Sequence, residues 1–239
     1  MIPATRRPVE PERDAVLGNP VWHALRGTQR ALAVSARGGR ALRYHPEVNI
    51  FSAADQLEEA DWAALAELVG AGGVAILSRD VVPAAPTGWL EVYRGTGVQL
   101  VAGNLANASA PALEELSAAD VPEMIELVRL TVPGPFLPRT HELGTYVGVR
   151  REGQLVAMAG ERMRVPGHAE ISAVCTHPSA RRQGLATALT LGLAREIRSR
   201  GDEAFLHVAA ENESALRLYQ SLGFEVRRPV EVVAARFEG

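Results

Sequence analysis

The clearest pattern of hydrophobic and polar positions lies in the second half of the chain. Apolar residues recur at about every fourth position between residues 182 and 200, which predicts a helix with one buried face: Leu185, Leu189, Leu193 and Ile197. Gly201 follows this run and predicts the end of the helix, because glycine readily adopts the left-handed conformation found after helices.

Short apolar runs surround this helix and predict strands. Four are expected before it, one after it and two more near the end of the chain, at residues 113–116, 146–150, 155–164, 170–176, 205–208, 224–227 and 231–237. Ser117 and Asn212 are predicted to cap two further helices. This order predicts an α+β fold, with a mixed, mostly antiparallel central sheet flanked by helices.

The first half has a weaker pattern of the same kind. A hairpin is predicted over residues 31–44, a helix over residues 55–69, and strands over residues 74–78, 89–93 and 98–101. Residues 104–111 are small, polar and turn-forming, which is typical of a linker. We therefore predict a flexible tail (residues 1–18), a first domain (residues 19–106) and a second domain (residues 112–239).

The composition is that of an ordinary globular protein. Apolar residues make up 47% of the chain, charged residues 22%, and the net charge is −3, which argues against nucleic-acid or membrane partners. No apolar run reaches the length of a membrane helix, and residues 1–14 do not resemble a signal peptide. Cys175 is the only cysteine, so a reducing compartment fits and we predict a cytoplasmic protein.

A short loop carries the most specific chemistry. The strand that ends near Thr176 is followed by Pro178 and then by Arg181-x-x-Gly184-x-Ala186, inside which the long helix begins. A loop of this kind directs unpaired backbone N–H groups, and the positive end of a helix dipole, toward one point. The loop is therefore a predicted phosphate-binding site.

Three motifs in order make the pattern more specific than the loop alone. They are Ala173-Val-Cys-Thr-His-Pro178, Arg181-x-x-Gly184-x-Ala186 and Asn212-x-x-Ala215-x-x-x-Tyr219-x-x-x-Gly223-Phe224. With these motifs, residues 112–237 resemble the GNAT superfamily of acyl-CoA-dependent N-acetyltransferases. The first half resembles a degenerate second copy of that fold, as in the tandem branch related to glycine N-acyltransferases. It lacks the Arg-x-x-Gly-x-Gly/Ala loop.

The resemblance implies that acetyl-CoA binds as a cosubstrate in a gap beside the last strand of the motif. The pantetheine arm would pair with the backbone of Val174, Cys175 and Thr176, and Asn212 would contact the same arm. The pyrophosphate would lie on the loop and the first helical turn: Arg181, Arg182, Gln183, Gly184, Leu185, Ala186 and Thr187. No histidine or cysteine spacing suggests a metal site.

The resemblance also implies catalytic roles. Tyr219 matches the proton donor to the thiolate leaving group. Glu170 matches the general base of the histone-type members, and His207 occupies the position where members that acetylate protein N-termini carry a glutamate. Both candidates for the base stay open. Cys175 is predicted to be a small packing residue, because direct attack by the amine is the usual route in this family.

The sequence predicts transfer of an acetyl group to a primary amine in a ternary complex, but it does not identify the acceptor. A small-molecule or amino-acid-like acceptor is expected, and Arg139, in the irregular stretch 133–144, would read a carboxylate on it. A protein N-terminus or lysine is the alternative acceptor. A non-catalytic acyl-CoA sensor is the alternative function, and a homodimer is one assembly that the sequence leaves open.

Overall fold

The computed structural model describes residues 15–106 and 113–239 of the 239-residue chain. The predicted tail and linker lie in large part outside the described residues. Within these ranges there are five α-helices: α1 (Pro20–Arg26), α2 (Glu59–Val69), α3 (Val121–Thr131), α4 (Leu185–Ser199) and α5 (Glu213–Ser221). Single 3-10 turns occupy Val16–Gly18, Arg30–Leu32, Arg37–Gly39, Ala118–Asp120, Thr140–Leu143 and Pro178–Ala180.

The described residues also form strands in two sheets. The strands are β1 (Ala33–Ser35), β2 (Ala41–Tyr44), β3 (Ser52–Ala54), β4 (Val74–Arg79), β5 (Trp89–Ala102), β6 (Glu114–Leu116), β7 (Tyr146–Arg151), β8 (Gln154–Val165), β9 (His168–Thr176), β10 (Glu203–Ala209) and β11 (Phe224–Phe237). The small sheet has the order β1-β2-β3. The large sheet has eight strands in the order β4-β11-β5-β10-β9-β8-β7-β6.

The predicted fold class is confirmed. The large sheet is mostly antiparallel, and β9 and β10 form its parallel pair. The predicted hairpins form, with β1 paired to β2 and β7 paired to β8. The α4 helix buries Leu185, Leu189, Leu193 and Ile197, as its apolar spacing predicts.

The tandem arrangement of two similar halves is not confirmed. Strands β4 and β5 come from the first half of the chain, yet both lie in the sheet formed by the second half. Strand β5 lies between β10 and β11 and pairs antiparallel with both. The division into domains at residues 106–112 stays a prediction, and the first half supplies strands to the sheet that carries the motifs.

Two pairs of predicted strands are each one long strand. Residues 89–93 and 98–101 belong to β5, and residues 224–227 and 231–237 belong to β11. The interruption that the sequence suggests between the two parts of β11 is a bulge between Val226 and Arg228 and not a turn. Strand β4 pairs only with residues 231–236 of β11, so Pro229 has no neighbouring strand on that side. This position suits proline, because proline has no N–H group to donate to a neighbouring strand.

Helices and the N-terminal segment cover opposite faces of the large sheet. On one face, α4 and α5 pack on Ile171 and Leu206. On the other face, the segment from α1 to β3 packs on Met163 and Phe205, and α3 packs beside it. Each large side chain buried in this way contributes about 1.5–3 kcal/mol. The face beneath the N-terminal segment carries a cluster of polar side chains around the buried Glu170.

Candidate active site

A gap opens in the large sheet between β9 and β10. The two strands pair in parallel at three positions, of which Glu170–Phe205 is the last. Beyond this pair β9 continues along β8 to Thr176, while β10 continues along β5 to Ala209. The edges of β9 and β10 that face each other are therefore unpaired beyond Glu170, so their backbone groups remain for another partner.

A bulge in β9 accompanies the divergence. The pairing with β8 shifts register between Met158 and Gly160, and Ala173 has a left-handed backbone with φ 52°. A bulge bends its strand and increases the local twist. Because a non-glycine residue at positive φ is strained, the bend persists only where surrounding packing maintains it.

The gap leads into a cleft of about 520 Å³. Its lining comes from the C-terminal end of α3, the end of β9, the loop before α4 and the start of α5. The lining residues are Thr131, Val132, Pro133, Val174, Cys175, Thr176, Ala180, Arg181, Arg182, Gly184, Leu185, Ala186, Thr187, Asn212, Ser214 and Leu218. Most of the predicted cosubstrate-binding residues are thus brought together around one opening. Gln183 lies in the same loop but outside the lining.

The loop before α4 has the backbone of an anion cradle. Arg182 and Gly184 have left-handed backbones, with φ values of 60° and 74°. Gly184 precedes the first residue of α4, and its carbonyl accepts the hydrogen bond from the Ala188 N–H. The N–H groups of the first turn therefore have no partner within the helix. Together with the helix dipole they favour a bound anion.

Three features of the cleft fit a long phosphorylated substrate. A Cβ atom at Gly184 would meet nothing within 4 Å, so the approach to the cradle is open. Arg181 donates from Nε to the Thr176 carbonyl at 3.3 Å, which holds its positive charge beside the cleft. The buried Thr176 hydroxyl has no hydrogen-bond partner among the described residues. The residues present thus fit acetyl-CoA.

Asn212 and α5 form the far wall of the cleft. The Asn212 side-chain oxygen accepts hydrogen bonds from the Ala215 N–H at 3.1 Å and from the Ser214 hydroxyl at 3.0 Å. The predicted capping role of Asn212 is therefore seen, and its amide group stays at the edge of the cleft. Leu218 adds an apolar contact surface one turn further along the helix.

Tyr219 follows Leu218 and is buried, with 9% of its surface exposed. Its ring packs edge-on against Phe224, with 6.0 Å between centroids. Burial raises the pKa of Tyr219 to about 12, so the phenol keeps its proton through the neutral range. Tyr219 is not among the residues that line the cleft. Among the described residues, none forms a hydrogen bond with its hydroxyl.

Glu170 lies at the last paired position before the gap and is fully buried. Arg162 of β8 holds both carboxylate oxygens, with distances of 2.8 and 2.5 Å from Nε and Nη2. His207 of β10 is 2.7 Å from the same carboxylate through Nδ1. Burial alone would raise the pKa of Glu170, but the Arg162 charge and these hydrogen bonds lower it to about 2. A carboxylate with so low a pKa is a weak proton acceptor.

The two candidate bases are thus in direct contact. Sequence reasoning missed Arg162, which connects them to β8. A signal for it existed, because the β8–β9 hairpin turns at residues 166–167 and so places Arg162 near Glu170. An arginine in one strand facing a glutamate in the next strand predicts an ion pair, although β8 also carries Glu161 and Arg164.

Cys175 and Arg139 are the other two residues for which the sequence predicts a role. Burial raises the pKa of the Cys175 thiol to about 11, so the thiol is protonated and Cys175 packs among apolar side chains, as its small size suggests. Arg139 forms a bidentate pair with Glu142, at 2.7 and 2.8 Å. Two of its nitrogens are therefore paired with a neighbouring carboxylate, and recognition of a substrate carboxylate by Arg139 stays a prediction.

In the described part of the chain, no group of three or more His, Cys, Asp or Glu side chains is placed to hold a metal ion. No helix within residues 15–106 and 113–239 is long and apolar enough to cross a membrane.

Comparison with known proteins supports the motif analysis. The family model described as FR47-like protein matches residues 146–233. A mycothiol acetyltransferase from Thermobispora bispora is 44% identical over 68 residues, which are 28% of this chain and 23% of that relative. The match thus spans less than a quarter of the curated relative.

Two solved structures resemble most of the chain. A GCN5-related N-acetyltransferase from Kribbella flavida has a TM-score of 0.64 at 19% identity, covering 93% of this chain and 96% of its own, and shows the fold alone. A GNAT-family protein from Novosphingobium aromaticivorans has a TM-score of 0.84 at 37% identity, covering 93% of this chain and 99% of its own. With its split sheet and its anion loop, the chain belongs to the GNAT family of acetyltransferases.

Proposed function

We propose that this acetyltransferase moves the acetyl group of acetyl-CoA to a primary amine by direct attack within a ternary complex. The observation that carries the proposal is the gap between β9 and β10, which runs from the anion cradle at Gly184 into the sheet. A substrate with a diphosphate at one end and an extended amide arm matches both parts of this opening.

The pyrophosphate would bind to the backbone N–H groups of the loop and first turn of α4, with charge from the two arginines. These residues are Arg181, Arg182, Gln183, Gly184, Leu185, Ala186 and Thr187. The amide arm would pair with the free edge of β9 at Val174, Cys175 and Thr176, as an added strand does. Asn212 would contact the arm from the opposite wall.

In the proposed reaction, the lone pair of the neutral amine attacks the thioester carbonyl carbon. The new C–N bond forms and the C–S bond breaks. The nitrogen loses one proton to water, and the thiolate takes one proton from the Tyr219 phenol, which solvent then restores. The products are an N-acetyl amide and CoA. Because its pKa is raised, Tyr219 carries the required proton across the pH range in which amines become neutral.

Glu170 is the less suited of the proposed groups to take the amine proton. It is fully buried, is paired to Arg162 and has a lowered pKa. We therefore propose that Glu170 and His207 position the strands and do not act as the general base. The amine would then enter the site in its neutral form. The Glu170–His207 hydrogen bond joins the two strands where the gap begins.

Purified enzyme, acetyl-CoA and a panel of amines test the function. The panel should include amino acids, polyamines, amino sugars and a short peptide with a free N-terminus, and the readouts are thiol release and the mass of the product. We expect N-acetyl product with at least one small amine. Acetylation of the peptide alone would favour the protein-modifying alternative. Acetyl-CoA binding without turnover on any amine would contradict the enzyme and favour the sensor.

A further inference from the structure

The first half of the chain contributes one fully buried polar side chain to the cluster at the gap. Gln99 of β5 lies directly opposite His207 in the β5–β10 register. Its side-chain nitrogen is 3.0 Å from His207 Nε2 and is fully shielded from solvent. Sequence reasoning had no signal for this contact, because the two residues are 108 positions apart.

The orientation of the Gln99 amide is fixed from both ends. Arg227 of β11 donates to the side-chain oxygen at 2.7 Å, and an arginine can only donate. The side-chain nitrogen donates to the Leu17 carbonyl at 3.0 Å, and a carbonyl can only accept. Reversing the amide would break both contacts, so the second N–H of Gln99 points at His207.

This orientation also determines where His207 carries its proton. Because Gln99 donates to Nε2, that ring nitrogen must accept. The proton therefore lies on Nδ1, from which it is donated to the Glu170 carboxylate at 2.7 Å. A carboxylate held in its charged form by Arg162 requires the same arrangement. Both neighbours of the imidazole thus select one tautomer.

The resulting ladder crosses five adjacent strands of the sheet. It runs from Arg162 through Glu170, His207 and Gln99 to Arg227, on β8, β9, β10, β5 and β11 in that order. Its central link, Glu170–His207, spans β9 and β10 just past their last backbone pair. Side chains thus connect the two strands where the gap begins.

We propose that Gln99 is a positioning residue for acetyl transfer, supplied by the N-terminal half: it fixes the His207 tautomer and so holds β10 against β9 at the inner end of the gap. The proposal rests on the proposed function, because the inner end is where the thioester would lie. Gln99 would act through His207 and Glu170 and would not touch either substrate.

Nitrogen-15 NMR of the full-length, unliganded protein tests the tautomer without requiring turnover. The His207 ring signals are identified by their loss in His207→Gln. In the wild-type protein we expect Nδ1 to be protonated and Nε2 to be unprotonated. A proton on Nε2 would overturn the proposal. In Gln99→Glu, an acceptor replaces the donor beside Nε2, so both ring nitrogens should be protonated.

Gln99→Met tests the positioning role, because methionine is of similar size but cannot donate. We expect mixed His207 tautomers and a fall in kcat of about 10- to 100-fold, as for a misplaced reacting group. The KM for acetyl-CoA should change by less than about 3-fold, because the phosphate contacts are distant. Unchanged tautomer and kcat in Gln99→Met would contradict the proposal.

Gln29→Met is the matched control. Gln29 is also a buried glutamine of the N-terminal half, but it bonds to Tyr44 and to the Leu143 and Arg162 carbonyls and not to His207. We expect a loss of stability similar to that in Gln99→Met with the His207 tautomer unchanged. Mixed His207 tautomers in both variants would contradict the proposal, because the change would then follow from a general loss of packing and Gln99 would have a structural role only. If the wild-type protein shows the expected tautomer but transfers acetyl to no amine, the proposed function is contradicted and the assignment of the His207 tautomer to Gln99 is not.

Discussion

Glu170 of β9 and His207 of β10 are joined by a 2.7 Å hydrogen bond at the point where their strands part. Backbone pairing ends at Glu170, and beyond it the sheet opens toward the anion cradle at Gly184. The first half of the chain lies against this junction through β5. The geometry thus links the sheet, the cleft and the N-terminal half at one position.

Tyr219→Phe should lower kcat by about 10²-fold or more, because it removes the phenol proton and a positioned proton donor contributes on that scale. The dissociation constant of acetyl-CoA should stay within about 2-fold, since Tyr219 is outside the loop that is proposed to bind the pyrophosphate. Steady-state kinetics and calorimetry measure the two quantities. Tyr93→Phe, at an exposed tyrosine on β5, is the control and should change neither. A normal kcat in Tyr219→Phe would exclude the donor role.

Gly184→Asp should weaken acetyl-CoA binding by about 10-fold or more, because it places a negative charge at the predicted diphosphate site. Gly201→Asp is a closely matched control, since Gly201 follows the other end of α4. Both glycines have positive φ and open space around the added Cβ. Each substitution should cost about 1–2 kcal/mol in folding free energy. Equal loss of binding in the two variants would contradict the location of the cradle.

The Glu170 ion pair predicts a specific pH dependence of stability. Because the folded pKa of Glu170 is lowered to about 2 from 4.5, its contribution is complete above about pH 4.5 and is lost as pH falls toward 2. Glu170→Gln should remove this part of the acid sensitivity. At pH 7 it should cost about 3 kcal/mol or more, because Arg162 is left without its partner.

Urea unfolding at pH 7 and pH 3 measures these changes. Glu213→Gln serves as the comparison, since it breaks a pair with Arg217 in which both side chains are largely exposed. That substitution should change stability by less than about 1 kcal/mol. If Glu170→Gln keeps the full acid sensitivity of the wild type, the ion pair does not control it.

The bulge at Ala173 gives a prediction about the backbone. Ala173→Val should destabilise the protein by about 1–2 kcal/mol or more, because a β-branched residue is disfavoured at φ 52°. Ala173→Gly should be tolerated, since glycine adopts this conformation without strain. Thermal unfolding of both variants checks the difference. If Val is tolerated as well as Gly, the strand does not require the left-handed conformation.

Much of this architecture could be predicted from local patterns. The α4 helix, the β7–β8 hairpin and the loop at Gly184 each follow from spacing or from turn residues that act within a few positions. The cosubstrate-binding residues could be named because they lie on that loop and its flanking elements. Their arrangement around one cleft matches the prediction, and their roles stay to be tested.

The rest depended on contacts between distant parts of the chain. The pairing of β5 with β10 and β11 carries no local signal, so the sequence did not place β5 in the sheet of the second half. The same pairing brings Gln99 to His207. The position of Arg162 opposite Glu170 could have been predicted from the β8–β9 hairpin. The strength of their ion pair depends on burial, which one sequence does not show.

Calorimetric titration of the purified protein with acetyl-CoA, with ATP as a phosphate control, tests the central claim most directly. We predict one acetyl-CoA site per chain with micromolar affinity, weakened in Gly184→Asp and retained in Gly201→Asp. ATP should bind much more weakly, because it cannot fill the gap between β9 and β10. Absence of acetyl-CoA binding, or equal binding of ATP, would contradict the assignment of this gap as the acetyl-CoA site.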